Sequence, residues 1–242
     1  MFMQTMRDAI DILQQALKVA TTSRKKGDAW RRAGRDEGAV LAVYDVGAAA
    51  LQGGIEVVVP ARQQLESMTP PLTGDAALCL DEMVESIGAL GGLRQRMAQF
   101  EQALASYAAG GALEERFALP DTYNRLNAIK LRLLTGPASL QELQAEIKAL
   151  ADLIEAALRA SQALSDKGWA WADLGDCLGL LGRTEESARA YATFIAKAEI
   201  KSPERALDVL KQIAAALQAR ADPQIARLQS AIHALQGRLP SP

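Results

Sequence analysis

The chain has 242 residues, of which 49% are hydrophobic and 23% charged, a balance typical of a globular protein that excludes disorder over the whole length. Such a length allows one large domain or two small ones. Lysine and arginine number 27 against 29 acidic residues, which disfavours general binding to nucleic-acid phosphates. Aromatic residues make up only 5%, and the many alanines and leucines favour helix over strand.

Cysteine and histidine usage argues against several classes of site. Cys79 and Cys177 lie far apart without a metal-binding or redox motif, so two buried, reduced thiols are expected. His233 is the single histidine, too few for most hydrolytic or metal chemistries. The opening segment turns charged at Arg7, and residues 38–60 are interrupted by charges, so neither a signal peptide nor a membrane span is predicted. We therefore expect a cytoplasmic protein without a membrane partner.

The first third of the chain predicts helices with one ambiguous stretch. Apolar residues at 5–22 recur with the spacing of an amphipathic helix. Residues 37–59 are mostly apolar, and their last part, 55–59, has the composition of a short strand. Pro70-Pro71 marks a break. Asp75 is predicted to be the N-cap of a helix that runs to about residue 97.

The rest of the chain reads as a series of helices joined by short loops, which places neighbours antiparallel. Ser139 with Glu142 forms a capping box at one of the starts. No alternating pattern supports a sheet, so nucleotide-binding folds that need a strand before the glycines are excluded. The fold class predicted is all-α, with further helices at 99–117, 121–135, 139–163, 166–181, 184–198, 203–219 and 222–236.

A repeated pattern is the strongest signal in the sequence. Trp171 is followed by Leu174 and Gly175, then by Gly182 at a turn and Tyr191 on the next helix. This order is similar to the tetratricopeptide repeat, in which a Trp-x₂-Leu-Gly helix pairs with a helix carrying a small residue and an aromatic one. The segment departs from that pattern at Leu178, Ser187 and Phe194. The glycine is expected to let the two helices approach closely.

A second copy lies upstream and a third, weaker one lies between them. Leu90 and Gly91 match the Leu-Gly pair, and Ala103 and Tyr107 match the second helix. Tyr107 follows Leu90 by 17 residues, and Tyr191 follows Leu174 by the same 17 residues. Tyr123 begins the third copy, where Asn127 replaces the glycine. The resemblance implies a right-handed α-solenoid of antiparallel helix pairs; the alternative is a plain helical bundle with ordinary core periodicity.

The same resemblance suggests a division of the chain. Residues 1–75 would supply degenerate helix pairs, 76–200 the repeats, and 201–238 a capping pair, all in one continuous solenoid. The step from Tyr123 to Ala128 and the tryptophan-containing repeat after it also resemble the TRAF-binding region beside stress-activated protein kinase kinase kinases, and bacterial repeat proteins of signalling or defence operons. That likeness implies an interaction module without its own catalysis.

No convincing catalytic or metal constellation was found in the sequence. The pairs Glu114-Glu115 and Glu185-Glu186 are expected near helix starts or on exposed faces, where carboxylates aid solubility. Asp173 and Asp176 share a helix face but lack further ligands for a cation. We therefore predict that the protein is not an enzyme and needs neither a metal nor a cofactor.

The resemblance implies a concave groove lined by the first helix of each pair, which would hold a segment of another protein. The residues predicted to contact this partner are Arg96, Asn124, Arg125, Arg132, Trp169, Asp173 and Asp176. The function predicted is a scaffold or regulatory subunit. The first alternative is a sensor that binds a peptide or small ligand in a bacterial signalling or defence system. The second is an enzyme, or a nucleic-acid binder using Arg31, Arg32 and Arg35.

Overall fold

The computed structural model describes residues 5–166, 168–197 and 203–236, which form helices and no strand. Two compact units are present, residues 1–119 and 120–242. The border between the units falls inside the region 76–200 that we predicted as repeats. The predicted division into 1–75, 76–200 and 201–238 describes where repeats begin and end, and it stays a prediction. An all-helical fold was predicted correctly from the sequence.

Unit 1 contains five helices. They are α1 (Met6–Arg32), α2 (Glu37–Val57), α3 (Val59–Ser67), α4 (Gly74–Arg96) and α5 (Phe100–Arg116). α1 packs on α2 and α4 on α5, while α4 also contacts both helices of the first pair. This is a layered arrangement of two helix pairs, with cores around Leu13 and Leu80 and around Tyr44 and Leu51.

Two expectations for unit 1 were wrong in detail. The strand-like residues 55–59 end α2 and begin α3, because the apolar side chains of this stretch are used by helices and Pro60 lies in the first turn of α3. Asp75 is not the N-cap of α4. Thr73 holds that position, and Asp75 lies in the first turn, where its charge suits the helix dipole.

The apolar helix α2 is the one described helix long and apolar enough to cross a membrane on length and composition alone. Only 33% of its apolar window is buried. Three valines on or next to this helix are exposed: Val46 (59%), Val57 (56%) and Val59 (42%).

Unit 2 contains seven helices. They are α6 (Tyr123–Thr135), α7 (Leu140–Ala160), α8 (Gln162–Ser165), α9 (Gly168–Leu180), α10 (Thr184–Lys197), α11 (Pro203–Ala219) and α12 (Ile225–Gln236). The predicted capping box at Ser139 and Glu142 starts α7, with both reciprocal hydrogen bonds present. One apolar cluster includes residues of all these helices except the short α8.

Helix α11 and the turn after it fold back onto the first two helices of unit 2, while α12 packs on α9 and α10. α11 contacts α6. Arg220, in the turn between α11 and α12, donates to the carbonyl oxygens of Leu133 and Gly136. Asp222 accepts from the amide of Leu140 at 3.1 Å, at the start of α7. Unit 2 is therefore closed, whereas in an open solenoid α11 would contact only the preceding pair.

Candidate functional site

Three helix pairs each pack a glycine of the first helix against a tyrosine ring of the second. A Cβ atom on Gly175 would lie 2.6 Å from the ring of Tyr191, and one on Gly91 would lie 2.8 Å from the ring of Tyr107. Since real Cβ contacts are longer than 3.0 Å, only glycine fits these places unless the ring moves. This confirms the close helix contact predicted at Gly91 and Gly175.

The third glycine–tyrosine contact, in α1 and α2, was not predicted. A Cβ atom on Gly27 would lie 2.3 Å from the ring of Tyr44, the shortest distance of the three. Sequence reasoning missed it because Lys26 stands where the repeat has leucine, and the tyrosine follows the glycine by 17 residues instead of 16. A weak signal existed: the dipeptide Gly-Asp occurs at 27–28 and at 175–176, although it also occurs at 74–75, at the start of α4.

In two of these pairs the tyrosine hydroxyl is bound by the aspartate that follows the glycine. Tyr44 donates to Asp28 at 2.8 Å, and Tyr191 donates to Asp176. In the remaining pair Tyr107 donates to Gln95 at 3.2 Å. The hydroxyl of a buried tyrosine needs such a partner, so the aspartate fixes both the ring and the helix spacing.

Each aspartate also binds a cation from another helix. In unit 1 the Nε of Arg96 on α4 donates to Asp28 at 3.1 Å. In unit 2 the ammonium of Lys130 on α6 donates to Asp176. The side chains of Lys130 and Asp176 are only 12% and 5% exposed. We call each set a clasp: Gly27, Asp28, Tyr44 and Arg96 in unit 1, and Gly175, Asp176, Tyr191 and Lys130 in unit 2.

Electrostatics favour a charged lysine in the unit 2 clasp. Burial by itself would lower the pKa of Lys130, but the carboxylates of Asp176 and Asp173 outweigh it and raise that pKa above its ordinary value. Burial also raises the pKa of Asp176, because the lysine only partly offsets the lost hydration. At neutral pH the pair is held together as a buried ion pair that depends on both partners.

The predicted partner-binding residues fall into three groups. Asn124 and Asp176 are buried, so their side chains are not where a partner-contacting residue would lie. Arg96 and Arg132 are engaged within their units, by Asp28 at 3.1 Å and by Glu146 at 2.8 Å. Arg125 and Asp173 are partly buried, and Trp169 is exposed.

The predicted repeat residues occupy structural places. Leu90, Ala103, Leu174 and the tyrosines of the second helices are buried, while Trp171 is partly buried and donates to the carbonyl of Ser165 at 2.9 Å. Tyr123 is 42% exposed at the start of α6. Gly182 lies in the predicted turn with φ +73°, a left-handed conformation that favours glycine.

Trp169 is the most exposed aromatic side chain among the large hydrophobic residues described. Its side chain is 58% exposed at the start of α9, and its ring lies 5.3 Å from the ring of buried Phe194 on α10. Asp173 follows one helical turn later and the Lys130–Asp176 ion pair the next turn down. We call Trp169 and Asp173 the α9 face; it joins a fixed aromatic ring to a carboxylate.

The described residues hold neither a metal-binding cluster nor an activated thiol. No group of three or more histidine, cysteine, aspartate or glutamate side chains is placed to hold a metal ion in the described part of the chain. Both cysteines are buried and reduced, as expected. Burial raises the pKa of Cys79 to about 11 and that of Cys177 further, so neither is an activated nucleophile.

No protein-family model matches the chain, and no curated protein matches it significantly.

Proposed function

We propose that the protein is a non-catalytic interaction module of the tetratricopeptide type, in which the α9 face binds a segment of a partner protein. The exposed ring of Trp169 carries this proposal. Large aromatic residues dominate binding energy at protein interfaces. Here Phe194 already holds the ring, which lowers the entropy lost on binding.

The helix-pair construction supports the same view. The 16-residue spacing from Gly91 to Tyr107 and from Gly175 to Tyr191 resembles the tetratricopeptide repeat, and so do the contacts of α4 with both helices of the preceding pair. The closed arrangement of α11 on α6 departs from an open solenoid, so we limit the proposal to repeat-like pairs. We further propose that the protein acts as a scaffold or regulatory subunit and that it is cytoplasmic, as the composition predicts.

The chemistry of the α9 face indicates the kind of segment that would fit. Trp169 offers an apolar surface, and Asp173 lies one turn away. A partner segment with an apolar side chain followed by a basic one would match both groups. The Lys130–Asp176 ion pair is buried and would support the face without contacting the partner.

A capture experiment with variants tests the proposal. The tagged full chain is incubated with lysate of its source organism, and bound proteins are identified after crosslinking. We expect a specific partner that Trp169→Ala loses by at least about tenfold and that Leu78→Ala keeps, since Leu78 is similarly exposed (51%) but lies in unit 1. Equal capture by wild type and Trp169→Ala would contradict the proposal.

The second candidate is a sensor that takes a peptide or small ligand, as the resemblance to signalling and defence proteins suggests. Ligand binding to the native state raises the melting temperature by mass action. A metabolite screen that raises it by several degrees in wild type but not in Trp169→Ala would favour the sensor over the scaffold.

A further inference from the structure

The C-terminal end of α1 concentrates positive charge. Six of the 27 lysines and arginines of the chain lie within residues 24–35, where Asp28 is the single acidic residue. All six cationic side chains are exposed. Because the whole chain has a net charge of −2, this stretch departs locally from the balanced composition of the molecule.

Most of these cations have no carboxylate partner in the described part of the chain. Arg31 forms an ion pair with Glu37, and Asp28 is bound by Arg96 of α4 at 3.1 Å. Asp36 caps α2, where it accepts from a backbone amide. The other five cations make no ion pair with a described residue, and we call them the basic end: Arg24, Lys25, Lys26, Arg32 and Arg35.

The dipole of α1 explains only part of this charge. Cations interact favourably with the carbonyl end of a helix, but the effect falls off within the last turn. It therefore accounts for Arg31 and Arg32, the two basic residues of that turn. Residues 24–26 lie earlier in the helix and Arg35 lies beyond its end, so most of the basic end has no such role.

Trp30 holds two cations of the basic end in place. The ammonium nitrogen of Lys26 lies 4.6 Å from the centroid of the Trp30 ring, and the guanidinium carbon of Arg35 lies 5.7 Å from it. The turn after α1 brings Arg35 back, since Gly34 has φ +65° and the amide of Arg35 donates to the carbonyl of Trp30 at 3.1 Å.

This arrangement favours the binding of an anion. The charges of Lys26 and Arg35 are at most about 10 Å apart, which is roughly one Debye length at 0.1 M salt, so they repel each other. A bound carboxylate would relieve that repulsion. Because the Trp30 ring already restricts both side chains, less entropy is lost on binding than with freely moving ones.

The remaining cations extend the basic end along α1. Lys25, Ala29 and Arg32 follow one another at four and three residues and share an exposed face of the helix. Lys25 and Arg32 are about 10 Å apart along the axis, a distance that an extended chain covers in about three residues. The small side chain of Ala29 between them leaves room for the backbone of another chain.

We propose that the basic end binds a short acidic segment of a partner protein. Carboxylates form charge-assisted hydrogen bonds with lysine and bidentate ones with arginine. The segment must be short, because exposed Asp36, Glu37 and Asp45 follow on α2 and repel a longer anion. The basic end lies in unit 1, so this proposal does not depend on the α9 face of unit 2.

Nucleic acid is the competing ligand, and the aromatic side chains argue against it. Proteins that bind single strands stack bases on exposed aromatic rings. Trp30 is partly buried and its ring is already engaged by Lys26 and Arg35, while Tyr44 is buried. The basic end therefore offers charge without a stacking surface, which fits carboxylates better than nucleotides.

Fluorescence anisotropy with fluorescein-labelled hexaglutamate tests the proposal on the full chain. At about 20 mM salt, where screening is weak, we expect saturable binding. Arg32→Glu/Arg35→Glu should raise the dissociation constant by at least about tenfold, because it replaces two attractions by repulsions. Both residues are exposed, so the variant should keep its helical circular dichroism.

A matched control separates the basic end from overall charge. Arg189→Glu/Lys211→Glu changes two exposed cations of unit 2 and alters the net charge by the same amount, so it should bind within about twofold of wild type. Absence of saturable binding, or an equal loss in both double variants, would overturn the proposal. Tighter binding of heptathymidylate, which also carries six charges, would assign the basic end to nucleic acid, and tighter binding of phosphatidylglycerol vesicles would assign it to a membrane.

Discussion

The two units use the same clasp in different surroundings. Both hold a tyrosine ring against glycine and bind its hydroxyl to the next aspartate, which in turn binds a cation from another helix. In unit 1 the Arg96 and Asp28 side chains are 29% and 16% exposed, but in unit 2 the corresponding pair is nearly inaccessible. The ion pair of the clasp should therefore contribute little to the stability of unit 1, whereas unit 2 should depend on it for folding.

The largest expected effect is the difference in cysteine reactivity between the native and the denatured protein. This difference reports on each unit separately. Cys79 lies in unit 1 and Cys177 in unit 2, and burial raises both pKa values. With a pKa of about 11, the thiolate of Cys79 at pH 8 is a few hundred times scarcer than that of an unfolded cysteine. Alkylation followed by mass spectrometry should show both sites protected in the native protein and reactive in denaturant.

The sign of the pH effect follows from the raised pKa. The native rate at Cys79 should rise as the pH approaches 11, provided the fold is intact, since only the thiolate reacts. A native Cys79 that reacts at pH 8 as fast as a free thiol would show that the burial described for unit 1 is wrong.

Removing the cation of the unit 2 clasp should cause the largest loss of stability. Lys130→Met leaves the carboxylate of Asp176 buried without its ion partner, which costs about 3–5 kcal/mol of unfolding free energy. The measurement is chemical denaturation, with alkylation to locate the effect. Cys177 should become reactive while Cys79 stays protected.

A double variant provides the control for this loss. Lys130→Met/Asp176→Asn removes both charges and leaves an amide oxygen to accept from Tyr191, so it should recover much of the stability. If the double variant is no more stable than Lys130→Met, the loss arises from packing of the lysine stem and not from the charge.

Adding a methyl group at the clasp glycines should have the next largest effect. Gly175→Ala and Gly91→Ala each force a tyrosine ring to move and should cost about 1–3 kcal/mol. Gly53→Ala is the matched control: it lies in α2 with nothing within 4 Å of the added Cβ. There the substitution should stabilise the helix by up to about 1 kcal/mol, so the variants differ in sign.

Breaking the unit 1 clasp should matter less. Arg96→Ala leaves Asp28 within reach of water and still bound by Tyr44, so we expect a loss of about 1 kcal/mol or less. A loss as large as that of Lys130→Met would remove the distinction between the two clasps.

The smallest stability changes are expected in the turns within the helix pairs, where two opposite substitutions should have opposite signs. The left-handed position is Gly182 between α9 and α10 but Ala98 between α4 and α5, with φ +73° and +57°. Ala98→Gly should raise stability by about 0.5–1 kcal/mol, and Gly182→Ala should lower it by a similar or larger amount. Thermal unfolding of both variants checks the opposite signs.

Helix positions and the glycine contacts could be predicted because they depend on local signals. The apolar spacing, the capping box at Ser139 and the turn glycine at 182 all act within a few residues. The placement of Asn124 and Asp176 could not be predicted in the same way. Their burial depends on a neighbouring helix, and Lys130 lies 46 residues from its partner.

The closed arrangement of unit 2 could not be predicted from local sequence signals either. The spacing within 203–236 indicates a helix pair, and a capping pair at the end of a row would show the same pattern. Instead α11 packs on α6, and the turn after it reaches the residues around the start of α7 through Arg220 and Asp222. Such contacts between distant residues leave no periodic pattern in the sequence. Asp28 is a different case. The Gly-Asp dipeptide at 27–28 is visible in the sequence, but its role depends on the hydrogen bond from Tyr44 on the next helix.

The hydrogen bond from Leu140 to Asp222 has a consequence for synthesis of the protein. The two residues are 82 positions apart, so Leu140 emerges from the ribosome long before its acceptor. At about 5–20 residues per second, translation takes roughly 4–16 s to cover that interval. Unit 1 can fold during this time, while the apolar surfaces of α6 and α7 wait for the final helices and are the part of the nascent chain most in need of chaperone protection.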